Sequence, residues 1–149
     1  MSCSHFKEHH PTCSECNRNA IFIASEKKSK YVLNNPLKRE ACKIRVDGCA
    51  IANIEVNKCD YLFLSCDTSI SFFVELKGKD LSHAIDQLDR SIDHFLPVLG
   101  GFAVNARAVL SRVQTPDLRT AKYLHFRKKL HRLGGTFTHK NKLIEDTLA

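Results

Sequence analysis

The chain has 149 residues, of which 43% are hydrophobic, and this length and composition predict one domain with a buried core. No uncharged apolar run approaches the roughly 18 residues of a membrane span, and the first residues lack the apolar stretch of a secretory signal. A membrane protein, a secreted mini-protein and a disordered tail are therefore disfavoured. The net charge of +7 makes a polyanion a reasonable partner.

The cysteines are odd in number, seven in all, at spacings unlike those of a secreted disulfide framework. We therefore expect reduced thiols in a cytoplasmic protein. Four of them lie in or near predicted strands and are expected to be small buried residues. These four are Cys42, Cys49, Cys59 and Cys66.

Residues 1–19 hold the other three cysteines, three histidines and almost no aliphatic side chains. We expect this segment to be a mobile arm or a zinc knuckle, beside a domain over residues 20–149. Cys13-x-x-Cys16 is half of a zinc motif, which Cys3 and a histidine such as His10 could complete. An unliganded arm and an iron–sulfur cluster are the alternatives.

The first half of the chain alternates between apolar runs and turn signals. Residues 20–24 predict a strand, and Asn34-Asn35-Pro36 predicts the start of a short helix that reaches about residue 41. Residues 43–46 predict a second strand. Two further strands, 60–65 and 70–77, flank a polar turn and predict a hairpin. Both are apolar at nearly every position, which predicts burial on two faces.

The second half predicts two helices and two strands. An apolar stripe from Leu81 to Phe95 recurs at steps of three to four residues, which is typical of an amphipathic helix. Residues 102–113 predict a strand, 116–133 a helix and 136–138 a last strand. The whole order predicts an α/β fold with a central mixed β-sheet flanked by helices.

Glu75-Leu76-Lys77 ends the most strand-like segment of the chain. Glu75 and Lys77 project from one face of that strand, because side chains alternate between faces. Hairpin pairing brings Asp60 beside them, since the turn lies at the other end of both strands. Two carboxylates and a lysine at one sheet edge predict a site for a hard cation. A structural ion pair is the alternative interpretation.

A second Glu-x-Lys match occurs at Glu26-Lys27-Lys28, also after an apolar run. No aspartate precedes Asp47, so this match lacks a hairpin partner. Asp47 itself stands beside Gly48 and is interpreted as a turn residue rather than a ligand. The sequence therefore favours Glu75 over Glu26 as the site glutamate.

The segments 58–60 (KCD) and 72–78 (FFVELKG), with the helix after them, resemble the PD-(D/E)xK nuclease superfamily. This is the restriction-endonuclease-like fold, which includes the Holliday-junction resolvases. The resemblance covers about residues 35–113 and implies an αβββαβ core, to which this chain adds a C-terminal helix and strand. Cys59 stands where the family name has proline.

The resemblance implies hydrolysis of nucleic-acid phosphodiester bonds with Mg²⁺ or Mn²⁺. Asp60 and Glu75 would hold the metal, and Lys77 would orient or help to deprotonate the attacking water. Related nucleases place a further metal-binding glutamate in the helix before the first strand, which here is Glu40. Several members carry an active-site glutamine on the helix after the motif, which here is Gln87.

Basic residues of the last helix and the strand before it form a predicted nucleic-acid surface, with a solvated face as the alternative. DNA is preferred over RNA as the partner, and two copies of the chain would be needed to cut two strands. The runner-up functions are an inactive nucleic-acid-binding or protein-interaction module on the same fold and a zinc-stabilised adaptor. The basic residues are Arg107, Arg112, Lys122, Lys129 and Arg132.

Overall fold

The computed structural model describes residues 2–78, 80–111 and 120–149, and these form three helices and nine strands. Their bounds are α1 (Ser2–His9), β1 (Ser14–Asn17), β2 (Ile21–Glu26), β3 (Ser29–Asn34), β4 (Ala41–Arg45), β5 (Tyr61–Ser65), β6 (Ile70–Gly78), α2 (Leu81–Phe95), a 3₁₀ turn (Leu96–Val98), β7 (Ala103–Leu110), α3 (Ala121–Arg132), β8 (Phe137–Asn141) and β9 (Leu143–Thr147).

The strands form two sheets. Six of them make a central sheet in the order β1-β4-β5-β6-β7-β8. Its first four strands are joined by antiparallel pairing, and β6, β7 and β8 run parallel. The smaller sheet has the order β2-β3-β9, with β3 and β9 parallel. The predicted α/β fold with a mixed sheet is confirmed.

The central sheet is covered on both faces. Alternate residues of the β5–β6 hairpin, such as Leu62 and Phe73, pack in one core with the helices. The residues between them, such as Phe63 and Phe72, pack in a second core with the smaller sheet. The predicted double-sided burial of both hairpin strands is therefore confirmed, since a strand between two layers has no polar face.

Helix α2 occupies the predicted range and begins at Asp80, whose side chain accepts a hydrogen bond from the backbone N–H of His83 at 2.7 Å. Its apolar stripe is buried against the central sheet. Helix α3 begins after Thr120, which accepts from the Tyr123 N–H. Within the described ranges, no helix combines the length and apolar character that crossing a bilayer requires.

The short helix predicted after Asn35 is wrong, because residues 36 and 37 form a turn and residues 38–40 have no regular secondary structure. The buried Asn35 amide donates to the carbonyls of Asn19 and Arg39 at 2.9 and 2.8 Å and accepts from the Arg39 N–H. A buried side chain that bonds to the backbone in this way offers the chain an alternative to helical hydrogen bonds.

Residues 2–19 pack onto the central sheet. Phe6 of α1 is fully buried in the helix-side core, and β1 pairs with β4. The structure therefore places this segment in the same body as the strands that follow.

Three disulfides link this segment to the rest of the chain. The prediction of reduced thiols is therefore wrong for six of the seven cysteines. Cys59 is a buried free thiol, as predicted. The cysteine argument for a cytoplasmic location no longer holds, because it rested on free thiols. The pairs are Cys3–Cys66, Cys13–Cys49 and Cys16–Cys42.

The predicted zinc ligands are not gathered as expected. Cys3, Cys13 and Cys16 each bond to a cysteine outside the first 19 residues, so none offers a thiolate in this state. The His10 ring packs near the rings of Phe6 and Phe95. The Cys13-x-x-Cys16 spacing carries no information about the disulfide partners, which lie on β4 and on the loops after β4 and β5.

Candidate functional site

The hairpin register brings Asp60 opposite Glu75, because Tyr61 pairs with Val74. The backbone N–H of Asp60 donates to the Val74 carbonyl at 3.1 Å. The Asp60 carboxylate accepts from the Leu76 N–H at 2.8 Å. This bond fixes the side chain across the hairpin and turns it toward the strand that carries Glu75.

Glu75 is the buried member of the pair, with only 5% of its surface exposed. Its Oε1 atom has no hydrogen-bond partner among the described residues. Burial and the neighbouring Asp60 carboxylate raise the pKa of Glu75 to about 9. A buried acceptor without a donor destabilises the folded state, so this carboxyl group is expected to bind a proton or a cation.

Asp60 carries the second perturbed carboxyl group. Burial raises its pKa to about 6, and the hydrogen bond from the Leu76 N–H opposes that rise. At neutral pH, without a cation, the Asp60–Glu75 pair therefore retains about one proton. The two groups titrate as a coupled pair rather than independently.

Gln87 reaches the pair from α2. Its amide nitrogen donates to the Lys58 carbonyl at 3.3 Å. A hydrogen bond from the amide to Glu75 lowers the pKa of Glu75, but burial and the Asp60 carboxylate raise that pKa by more. The Gln87 Oε1 atom is buried with no partner in the described part of the chain. We call Asp60, Glu75 and Gln87 the acid site.

Two further carboxylates lie at the acid site, and sequence analysis missed both. Glu26 and Asp47 line an open depression of about 310 Å³ together with Asp60, Arg45 and Tyr61. The negative charges of Glu26 and Asp47 each contribute to the raised pKa of Asp60.

These omissions have a common cause. Glu26 ends β2 in the smaller sheet, so only the packing of one sheet on the other brings it to the depression. The Glu-x-Lys motif at Glu26 did indicate this position, but the sequence favoured Glu75 because Glu26 has no aspartate on a paired hairpin strand. Asp47 was interpreted as a turn residue, and the same turn presents it beside Asp60, where Lys58 lies 3.8 Å from its carboxylate.

Glu40 lies away from the acid site, and its predicted role as a metal ligand is wrong. It directly precedes Ala41, which pairs with Ser65, whereas Asp60 lies at the other end of β5. Glu40 lies opposite Cys66, six positions from Asp60, which corresponds to about 20 Å along the strand. Glu40 instead forms an ion pair with Lys7 of α1.

Two predicted residues fall outside what the structure describes. Lys77 lies in β6, two residues after Glu75, where the pairing with β7 shifts register between Leu76 and Gly78. The side chain of Lys77 is outside the described part, and so is the whole of Arg112. A register shift of this kind is frequent beside active sites.

The predicted nucleic-acid surface is corrected at Arg107. Its side chain is 6% exposed, and it donates to the Asp146 carboxylate through Nε at 2.7 Å and Nη2 at 3.2 Å. It also donates to the carbonyls of Ala106 and Thr136. A buried guanidinium engaged in this way links β7 to β9 and is not available to contact a phosphate.

Two lysines of the same prediction are engaged with α2. Lys122 pairs with Asp86, and Lys129 pairs with Asp89 and Asp93. These pairs fasten α3 along the acidic side of α2, which reduces the charge available to phosphates. Arg132 is exposed at the end of α3.

No protein-family model matches the chain, no curated protein matches its sequence, and no solved structure matches its fold.

Proposed function

We propose that the chain is a metal-dependent endonuclease of the PD-(D/E)xK kind, which hydrolyses phosphodiester bonds in nucleic acid, with DNA as the preferred substrate. The observation that carries this proposal is the Asp60–Glu75 pair, in which a buried carboxylate oxygen has no donor among the described residues. Asp60 lines the open depression, whereas Glu75 is buried. Carboxyl groups with raised pKa values beside a cleft are typical of catalytic sites.

The connectivity supports the same proposal. Strands β4, β5 and β6 form an antiparallel run, α2 follows, and β7 returns parallel to β6. This sequence of elements matches the βββαβ part of the core that the resemblance implies. The helix expected directly before it is replaced by the turn at residues 36 and 37.

The residues present fit a divalent metal such as Mg²⁺ or Mn²⁺. All candidate ligands are hard oxygen donors, and a divalent cation would take the place of the proton that the pair retains at neutral pH. Asp60 and Glu75 would hold the ion. When bound, such an ion polarises a phosphoryl oxygen and makes water more acidic.

The chain's own residues would prepare this chemistry. The Leu76 N–H holds the Asp60 carboxylate in place, and Gln87 positions Glu75 from the α2 side. Arg45 lies at the depression, where its charge would attract a phosphate. Lys77 would orient the attacking water, as the resemblance implies.

The test is a cleavage panel with purified protein and Mg²⁺ or Mn²⁺. The wild type, Glu75→Gln and Asp60→Asn are each incubated with five substrates: supercoiled plasmid, linear duplex, single-stranded DNA, a branched junction and RNA. We expect cleavage of DNA by the wild type and a loss of about 10³-fold or more in both variants. Glu40→Gln is the matched control and should retain wild-type activity.

Nicking is scored separately from double-strand cleavage, because a second copy of the chain would be needed to cut both strands. Absence of cleavage of every substrate with either metal would overturn the proposal. If the protein cleaved none of the substrates but still bound nucleic acid in a salt-sensitive way, the alternative of an inactive binding module would replace the endonuclease proposal. Equal residual cleavage in Glu75→Gln and Glu40→Gln would identify a contaminant.

A further inference from the structure

Four cysteines lie together at the end of the hairpin opposite the acid site. Cys3 comes from α1, Cys16 from β1, Cys42 from β4, and Cys66 from the turn after β5. Cys3, Cys42 and Cys66 are buried, and their sulfur atoms all lie within 4.8 Å of one another. Cys16 is bonded to Cys42. We call these four residues the sulfur cluster.

The two disulfides of the cluster touch. The Sγ atoms of Cys42 and Cys66, which belong to different disulfides, are 3.8 Å apart. Zinc bound by four thiolates has Zn–S distances of about 2.3 Å, and a tetrahedron of that size has edges of about 3.8 Å. The contact between the disulfides therefore already has the separation of two thiolates on one zinc ion.

Three of the sulfurs, those of Cys3, Cys42 and Cys66, are already close to one another. The sulfur of Cys16, which is bonded to Cys42, would have to move toward those of Cys3 and Cys66 to complete such a tetrahedron. The Cα atoms of Cys16 and Cys42 are fixed opposite each other by the β1–β4 pairing, which holds their side chains side by side. This backbone pairing does not depend on a disulfide. On the Cys3 side, Phe6 of α1 is fully buried in the same core as Cys3, which is a second non-covalent contact of this segment.

We propose that the sulfur cluster is a structural zinc site when the protein is reduced, and that its two disulfides are the oxidised form of the same site. With a phosphine as reductant, each disulfide takes two electrons and one water molecule, giving two thiols and one phosphine oxide. Binding of Zn²⁺ then displaces four thiol protons to solvent.

The surroundings make this a structural site rather than a catalytic one. Four protein ligands leave no open position for water or substrate, and the buried cysteines exclude solvent. The remaining cysteines are separate from it, since Cys13 pairs with Cys49 beside Arg45, and Cys59 lies next to Asp60. The proposal does not depend on nuclease activity.

The test begins with wild-type protein reduced by a phosphine and freed of metal. We expect one Zn²⁺ per chain, and one Co²⁺ per chain with the visible and thiolate charge-transfer spectrum of a tetrahedral four-thiolate ion. Alkylation followed by mass spectrometry should show that zinc protects Cys3, Cys16, Cys42 and Cys66, whereas Cys13 reacts.

Variants then assign the ligands. Cys42→Ser and Cys16→Ser should each lower zinc affinity at least 100-fold, and Cys49→Ser, the matched control outside the cluster, should bind zinc as the wild type does. If Cys42→Ser does not fold, the alkylation pattern of the wild type decides. The proposal is overturned if the reduced wild type binds no zinc at micromolar concentration or if zinc protects Cys13 as strongly as Cys42.

Discussion

The acid site and the sulfur cluster occupy opposite ends of the same antiparallel strands. Where Arg45 pairs with Tyr61, the side chains nearby are carboxylates and an amide; where Ala41 pairs with Ser65, they are cysteines. Oxygen donors suit Mg²⁺ and Mn²⁺, whereas thiolates suit Zn²⁺. The length of one strand pair therefore separates a set of oxygen donors from a set of sulfur donors.

The two sites also differ in how the chain assembles them. Asp60 and Glu75 come from one hairpin, so local pairing is enough to join them. The sulfur cluster draws on α1, β1, β4 and the turn after β5, and it forms only when residues 2–19 dock on the sheet. The Asp60–Glu75 pair is a property of a hairpin, to which α2 adds Gln87, whereas the sulfur cluster is a property of the whole fold.

The largest expected effect is a crossed loss of metal affinity. Loss of a residue that only hydrogen-bonds to a metal ligand typically lowers metal affinity roughly 10–100-fold. Glu75→Gln removes a ligand itself, so it should weaken Mn²⁺ binding by more than that. It should leave the zinc content of the reduced protein unchanged. Cys42→Ser should have the opposite pattern. Calorimetric titration with Mn²⁺ and elemental analysis for zinc measure the two. Loss of both metals in either variant would contradict the separation.

Removal of the Cys3–Cys66 disulfide should have the next largest effect. Replacing both residues with serine opens a closed loop with a sequence separation of 63 residues, which should lower the free energy of unfolding of the oxidised protein by about 4 kcal/mol. Denaturant unfolding measures the change. The Mn²⁺ affinity of the folded variant should equal that of the wild type. A decrease in the free energy of unfolding below about 1 kcal/mol would contradict the prediction that the disulfide stabilises the fold by restricting the unfolded chain.

The pH dependence of stability should come from the acid site. The folded chain keeps protons on Glu75 up to about pH 9 and on Asp60 up to about pH 6, whereas their ordinary pKa values are 4.5 and 3.8. Because the folded state then binds more protons, the free energy of unfolding of the metal-free protein falls as pH rises from about 4 to 9.

Glu75→Gln should flatten this fall and stabilise the metal-free protein at pH 8 by about 1–3 kcal/mol. Unfolding in denaturant at a series of pH values, with Glu40→Gln as control, measures the slope. Added Mn²⁺ should restore stability to the wild type at pH 8, because the cation replaces the lost proton. If the free energy of unfolding depended on pH equally in Glu75→Gln and the wild type, the group responsible would not be Glu75.

The smallest effect should come from the carboxylates around the depression. Glu26→Gln and Asp47→Asn each remove a negative charge that raises the pKa of Asp60, so each should move the onset of Mn²⁺ binding to slightly lower pH. The effect is small because solvent screens these charges. Binding measured across pH checks it, and an onset at higher pH would mean that the removed group is itself a ligand.

The elements that sequence analysis predicted well are those whose signal is local. Helix α2 has its apolar stripe and its aspartate cap within 16 residues, and the β5–β6 hairpin has its turn between two apolar runs. The same local register placed Asp60 opposite Glu75. Strands β3 and β9 were missed, because their parallel pairing joins segments about 110 residues apart.

The errors share the opposite property. Glu40 has the right residue type at the right place in the family pattern, but a buried Asn35 amide organises a turn in place of the expected helix. Arg107 was interpreted as a phosphate ligand, and its partner Asp146 lies 39 residues further along the chain. In each case a distant contact outweighed the local pattern.

The sequence by itself determined the two-sided hairpin, helix α2 and the pairing of Asp60 with Glu75, since alternation of side chains and a short turn fix these over a few residues. Only the tertiary structure decided the partners of six cysteines, the position of Glu26 at the depression and the structural role of Arg107. Those depend on which sheet and which helix pack together, because contact between distant segments is set by burial of the whole core.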